Sequence, residues 1–279
     1  MASQKDNVNI LTFDIEEWFH ANYAGLDLTG ANKKSSRFRA NMDAILNLCG
    51  DTGTKATFFV LGCIGERYPD VVKTIAREGH DLASHGCGHQ LAYEQTYQEF
   101  KDDVKKSLDI LQELTGVKVL GYRAPSWSIA EKNYHYLEAL EELGLKYDAS
   151  IFPIKTFLYG LPDAPTSIHR PSVRGRQLNL YEVPMSVTKI CGRRIGYSGG
   201  FYFRFFPAFF IKRAIRQANA QNESAVVYLH PREIDPAENR LELPWKESFI
   251  HYYNLAATKE KLEDILRSFK FISIAERLK

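Results

Sequence analysis

Val8-Asn9-Ile10-Leu11-Thr12-Phe13-Asp14-Ile15-Glu16-Glu17 decides the fold: an apolar, β-rich run over 8–13 closes on acidic residues. A short apolar run of this kind suits a buried strand, and its acids mark the end where it meets solvent or a site. Outward from it, strand-like runs recur at 55–62, 80–85, 117–124, 147–151, 181–187, 224–230 and 270–274. Between them lie helix-like stretches around 37–49, 67–78, 94–115, 131–143, 207–220 and 258–268. Strands alternating with helices of this length predict an α/β chain built on a parallel sheet or a (β/α) barrel. In a barrel, functional residues belong at the C-terminal ends of strands.

No internal repeat and no Ser/Gly-rich linker divides the chain, so residues 1–279 read as a single domain. An irregular insertion is expected at about 152–206, punctuated early by Pro153, Pro162, Pro165 and Pro171. Composition is that of an ordinary globular protein: 44% hydrophobic, 25% charged, with 18 Gly and 11 Pro, which excludes collagen-like and disordered classes. The net charge of +2 is too balanced to mark a nucleic-acid or membrane-surface binder. Locally the balance breaks, since residues 165–216 hold ten Lys/Arg and one acid, Glu182. That stretch is either a solvated face or a means of drawing in an anionic ligand.

Cys49, Cys63, Cys87 and Cys191 lack CxxC spacing and read as free thiols. No apolar run reaches the roughly 18 residues of a membrane span, and the opening MASQKDNVNILTF lacks the basic-then-apolar order of a signal peptide. The expected location is cytoplasmic, with peripheral attachment to a membrane left open.

The residues that carry chemistry begin with Ser84-His85-Gly86-Cys87-Gly88-His89, directly after a predicted strand. Imidazoles four apart on a tight loop can converge on one metal ion. A further ligand comes from the first strand end, where a period of two puts Asp14 and Glu16 on one face. Two imidazoles and a carboxylate leave a position open for water, the pattern of a catalytic zinc; the other acid can then serve as base. The competing reading is that these acids cap the next helix or face solvent. Arg123 in Gly121-Tyr122-Arg123-Ala124-Pro125-Ser126-Trp127 can pair with a carboxylate. His230 in Tyr228-Leu229-His230-Pro231 ends an apolar strand, and its ordinary pKa near 6.5 suits a general acid. Alone, either residue is as readily structural.

TFDIEEW, SHGCGH, YRAPSW, YDASIFP and YLHP occur in this order on successive strand ends, over about residues 8–275. This series resembles the polysaccharide deacetylases with the NodB-homology domain. The TFDIEEWFH opening and the segment from GGFYFRFFP to LPW look closest to the subgroup associated with exosortase and exopolysaccharide gene clusters. The resemblance implies a distorted (β/α)-barrel of about seven parallel strands and a metal-dependent hydrolase that removes acetyl groups from N-acetylated sugars of a polysaccharide or its precursor. It implies that Glu16, His85 and His89 hold a divalent metal. Zinc is the expected ion by ligand type, and two imidazoles with a carboxylate also suit Fe, Co, Ni and Mn. Asp14 would be the general base and Arg123 its orienting cation. The Ser126 backbone N–H would meet the oxyanion, and His230 would be the general acid with Asp148 as its partner.

Three departures stand out. TFDIE replaces the usual TFDDG and shifts the metal carboxylate to Glu16, Gly86-Cys87 lie between the histidines, and Ser126 takes the place of a tyrosine. Trp18, Tyr122, Trp127, Trp245 and Phe152 lie beside or between the motifs and are candidates for contact with sugar rings, with core packing as the competing role for most of them. Phe201-Tyr202-Phe203-Arg204-Phe205-Phe206-Pro207 alternates like a strand and suits core plus groove wall, or a membrane carrying a lipid-linked glycan.

The expected partner is an acetylated saccharide, anionic or lipid-linked, with no nucleic acid, no transmembrane segment and oligomerisation left open. Two other functions compete. One is a related amidase acting on a small amide in the manner of allantoinase. The other is a binding protein for anionic glycan or nucleic acid, using the basic, aromatic stretch at 189–216.

Overall fold

A computed structural model describes residues 7–23, 36–156 and 160–279. Eight strands form parallel ladders: β1 (Val8–Ile15), β2 (Thr57–Val60), β3 (Asp81–Ser84), β4 (Gly121–Tyr122), β5 (Tyr147–Asp148), β6 (Tyr181–Glu182), β7 (Val226–Leu229) and β8 (Lys270–Ile272). The longer helices are α1 (Phe38–Asp51), α2 (Gly62–Arg67), α3 (Pro69–Arg77), α4 (Tyr97–Thr115), α5 (Leu137–Glu142), α6 (Gly200–Phe205), α7 (Ala208–Ala220), α8 (Trp245–Tyr252) and α9 (Thr258–Ser268). The described chain divides into two compact bodies, one made of residues up to Ala56 with Tyr197–Lys279, the other of Thr57–Gly196.

In the first body β1 is buried along nearly its whole length, as its apolar run requires. It pairs with β7 from Ile10↔Val226 to Phe13↔Leu229 and with β8 from Val8↔Lys270 to Ile10↔Ile272. The Phe13↔Leu229 register means that Asp14 and His230, one step further, lie side by side at the ends of the paired strands. Helices α7 and α9 bury Ile211, Ala214, Ile215, Leu262, Ile265 and Leu266 along one stripe each.

In the second body the strands align in one transverse row: Val60↔Ser84, Ser84↔Tyr122, Tyr122↔Asp148 and Asp148↔Glu182. His85 and Arg123 therefore emerge one residue past that row, at neighbouring strand ends. Strands β4, β5 and β6 are only two residues long, shorter than the apolar runs around them. Side chains and single bonds replace the ladder beyond: Ala124 N–H donates to Ser150 Oγ (2.8 Å) and Ile151 N–H to Glu182 Oε1 (3.1 Å).

The insertion is more regular than its prolines suggest. Two antiparallel hairpins, Ser172–Val173 with Arg176–Gln177 and Val187–Ile190 with Arg193–Gly196, turn on Arg174-Gly175 and Cys191-Gly192. Both turn residues have positive φ in each case, at 51° and 78°, then 48° and 77°. This is the conformation that two-residue hairpin loops demand, and Arg-Gly and Cys-Gly meet it without the more familiar Asn-Gly. The alternation expected at 201–207 is also absent, because Gly200–Phe205 is the helix α6.

Gly121 shows how tightly β4 and β5 approach. A Cβ added there would lie 1.9 Å from the ring of Tyr147, which is itself buried and donates its hydroxyl to Asp81 (2.7 Å). Gly121→Ala is expected to lower stability by about 3 kcal/mol in urea titration. Gly50→Ala, in an open helical position with nothing near its Cβ, should raise it by about 0.5–1 kcal/mol.

Candidate active site

In the first body the strand ends of β1 and β7 bring three functional groups together. His230 Nε2 lies 3.9 Å from Asp14 Oδ2 and 3.9 Å from Glu16 Oε1, so both acids face the same imidazole, as their spacing predicts. Asp14 and Glu16 are buried, at 2% and 4% exposure. Glu17 turns elsewhere and accepts the Ser36 hydroxyl (2.6 Å).

The other face of His230 is fixed by a residue that sequence reasoning passed over. His230 caps the short turn Pro231–Ile234, and Glu233 Oε2 accepts both the His230 backbone N–H (3.0 Å) and its Nδ1–H (2.8 Å). Arg204 of α6 donates from Nε to Glu233 Oε1 (2.8 Å), and its remaining nitrogens donate to the Tyr253 and Ile250 carbonyls (2.6 and 2.9 Å). The hydrogen bond expected from Asp148 is thus made by Glu233. The signal was present as a glutamate three residues after the strand-end residue, the spacing of a capping box. Arg204, counted with the basic stretch, is 2% exposed and belongs to this relay.

Burial alone would push Glu233 up, but the Arg204 guanidinium, then the His230 hydrogen bond and charge, hold it well below the usual carboxylate range. Burial lowers His230, and the Glu16 charge followed by the Glu233 hydrogen bond and charge outweigh it, leaving its pKa raised. The imidazolium is therefore favoured.

In the second body His85 and His89 lie on the loop after β3, their rings 5.7 Å apart between centroids and both buried. Gly86 (φ 79°) and His89 (φ 61°) bend the loop into left-handed conformations, and a Cβ on Gly86 would meet Asp103 Oδ2 at 2.8 Å. Asp103 of α4 accepts the Cys87 N–H (2.9 Å), and the Gly86 and Cys87 carbonyls accept the N–H groups of Gly62 and Cys63 at the start of α2 (both 2.9 Å). His85 Nδ1 lies 2.7 Å from the Arg123 carbonyl. With the proton on Nδ1 donated there, Nε2 keeps its lone pair for a ligand.

Arg123 is fully buried over the Phe59 ring (4.1 Å), with Nε donating to the Ala149 carbonyl (3.1 Å). Ser126 and Trp127, at φ 51° and 48°, are consecutive left-handed residues in the turn that follows, a local strain of the kind concentrated at functional sites. Asp148 accepts the Ser150 hydroxyl (2.6 Å) and N–H (3.1 Å), and Ser150 Oγ in turn accepts the Ala124 N–H. Asp148 thereby supports the Arg123 turn.

Trp18, Tyr122, Trp127 and Phe152 are only 3%, 1%, 6% and 2% exposed, so none offers an open ring face. Tyr122 packs on Phe100, Trp127 on Phe152, and Trp18 on Leu241. The basic stretch is largely spent locally: Arg174 and Arg176 pair with Glu138 and Glu141, Lys212 with Asp264, and Arg194 donates to the Pro162 and Ala164 carbonyls.

Comparison with solved structures shows the fold expected from the sequence, a distorted (β/α)-barrel. A Mycobacterium smegmatis protein assigned to the polysaccharide deacetylases aligns with a TM-score of 0.61 and 20% identity over 98% of this chain and 90% of its own. A CE4-family pseudoenzyme from Bacillus anthracis aligns at 0.53 and 12% identity, over 99% of this chain and 66% of that one.

The polysaccharide deacetylase family description matches residues 2–147, which carry Asp14, Glu16, His85, His89 and Arg123, and the chain belongs to that family. Residues 149–279, which carry His230 and Glu233, match a domain of unknown function (DUF3473), a combination typical of exopolysaccharide-associated deacetylases. The peptidoglycan deacetylase of Helicobacter pylori is 28% identical over 140 residues, 46% of this chain and 47% of its own. The chain spans less than half the length of the curated relatives it matches first.

Glu182, fully buried beside Asp148, is held well above the usual carboxylate range by burial and then by the Asp148 charge. Asp148 is itself raised by burial, and two buried carboxyls side by side favour keeping a proton between them. The unfolded chain loses that proton near pH 4.5 and the folded chain does not. The stability it contributes is therefore complete below that pH and is lost as pH rises toward the raised folded value. Glu182→Gln keeps the shape and removes this dependence. In thermal melts it is expected to exceed the wild type by about 1 kcal/mol or more near pH 9, and by less near pH 5; a wild-type advantage at the higher pH contradicts the shared proton.

Proposed function

We propose that the chain is a metal-dependent hydrolase removing acetyl groups from N-acetylated sugars of a polysaccharide or its precursor. The observation that carries this reading is His230, with Nε2 facing Asp14 and Glu16 and Nδ1 locked by Glu233. That is the arrangement a general acid beside a general base requires.

Glu16, His85 and His89 would hold the divalent ion, each offering one buried ligand atom. The donor set fits: two imidazoles and a carboxylate suit zinc, with Fe, Co, Ni and Mn as alternatives, and the Arg123 carbonyl fixes the tautomer that exposes His85 Nε2. Bound there, such an ion supplies Lewis acidity and lowers the pKa of water from 15.7 toward about 7.

Asp14 takes the proton from water as its oxygen attacks the acetyl carbonyl carbon. In the scheme that the family resemblance implies, Arg123 would be the orienting cation of Asp14, and the Ser126 N–H would donate to the oxyanion that forms. The C–N bond then breaks, the amine takes the His230 Nε2 proton, and acetate leaves. Glu233 holds the imidazole in the tautomer and rotamer that present that proton, and stabilises its charge.

Acetate release from N-acetylglucosamine oligomers should require about one bound metal per chain, disappear on chelation and return on metal add-back. Asp14→Asn should cost at least about 10³-fold in kcat with unchanged melting temperature; His230→Ala should cost as much in kcat and also lower the melting temperature, because it takes a partner from the buried Glu233. Glu233→Gln should lower kcat about 10–100-fold with little change in KM and a shifted acid limb of the pH–rate profile. Protein that binds none of the suitable metals and releases no acetate overturns the proposal.

A further inference from the structure

Helix α6 is turned inside out. Its one charge, Arg204, is 2% exposed, while Phe205 next to it is 48% exposed. Arg204 goes inward because Glu233 and the carbonyls of Ile250 and Tyr253 require it there. Phe203 alone of the helix's phenylalanines is fully buried. The others lie outward, where Phe201 meets Phe205 (5.4 Å) and Phe249 of α8 (6.0 Å).

Two further exposed rings stand on the adjoining helices. Phe209, beside Phe210 at the start of α7, is 73% exposed, and Trp245, one turn before Phe249 on α8, is 76% exposed. Among the described residues six large hydrophobics are markedly exposed, and Phe205, Phe209, Trp245 and Phe249 are four of them. Such a concentration marks an interaction surface rather than scattered exposure.

Its charge setting favours one occupant. From 183 to 222 the sequence contains no Asp or Glu. Exposed Arg213 on α7 and Lys246 on α8 flank the rings, with the Lys246 ammonium 5.6 Å from the Trp245 ring centre. Glu247 is the acid on α8, and Lys212 is already paired with Asp264. Aromatic rings on short helices with flanking cations are what an interfacial anchor offers to anionic headgroups. Among the described residues no helix is long and apolar enough to cross a membrane, so attachment would lie in the interfacial plane.

We propose that the face formed by α6, the start of α7 and α8 seats on an anionic lipid surface. The two helices that present the rings also grip Arg204, and through it Glu233 and His230. Docking therefore sets the acid-bearing strand end at a fixed place relative to the bilayer. The lipid contact itself does not depend on the deacetylase reading.

The chain has a built-in reporter, since Trp18 and Trp127 are buried and Trp245 is the exposed tryptophan. The probe is vesicles of phosphatidylcholine with about 30% phosphatidylglycerol, against phosphatidylcholine alone, at low and high salt. The wild type should co-sediment with the anionic vesicles, with a blue shift of Trp245 emission and weaker binding at high salt. Phe209→Ser with Trp245→Ser should reduce partitioning by about 100-fold, and Arg213→Glu with Lys246→Glu by about tenfold. Acetate release from soluble oligomers should be unchanged in both variants, which separates this test from that of the catalytic reading. No binding to anionic vesicles, binding that survives the ring substitutions, or concentration-dependent self-association through the same rings would each overturn the proposal.

Discussion

Glu233, buried between Arg204 and His230, is the interaction on which the placement of His230 in the first body depends. A carboxylate taken out of water is costly unless its oxygens are occupied, and here one receives the guanidinium and the other the imidazole and backbone of His230. The same arginine closes on the Ile250 and Tyr253 carbonyls at the end of α8. Removing any one partner leaves a buried charge exposed to its own desolvation penalty, typically about 3–5 kcal/mol. The relay therefore fixes His230 rigidly enough to present one nitrogen to Asp14 and Glu16.

The second body uses the same logic with different parts. A two-residue strand is too short to hold its neighbours by ladder bonds alone, so Ser150, Asp148 and Glu182 carry the pairing beyond β4 and β5. The Arg123 carbonyl then selects the tautomer of His85. The candidate groups His85 and Arg123 emerge at strand ends because parallel strands in register end in one row. Fold likeness extends to a pseudoenzyme as well as to deacetylases, so the reading of function rests on the identity of these groups.

Much of this was legible in the sequence. The apolar run of β1, the β7 run ending in His230 and the amphipathic period of α9 are strong local signals, and they place Asp14, Glu16, His85, His89, Arg123 and His230 at strand ends. What the sequence hid follows from tertiary chemistry. Residues 201–207 alternate like a strand, yet Gly200–Phe205 is helical, and Arg204 faces inward onto the buried Glu233. Asp148 is the His230 partner that the resemblance implies, from the YDASIFP segment. Glu233 is three residues from His230, and its role emerges only when the turn forms. The hairpins at Arg174-Gly175 and Cys191-Gly192 were missed because a glycine preceded by Arg or Cys is a weak turn signal until φ is known.

The central proposal is that Glu16, His85 and His89 would hold one metal ion. The direct test is a crystal structure of metal-loaded protein with anomalous scattering recorded at the metal edge. The account predicts one strong peak per chain, bound by His85 Nε2, His89 and Glu16 at about 2.0–2.2 Å, with the Asp14 carboxylate left unligated. A peak held by other residues, or an ion that takes Asp14 in place of Glu16, would contradict it.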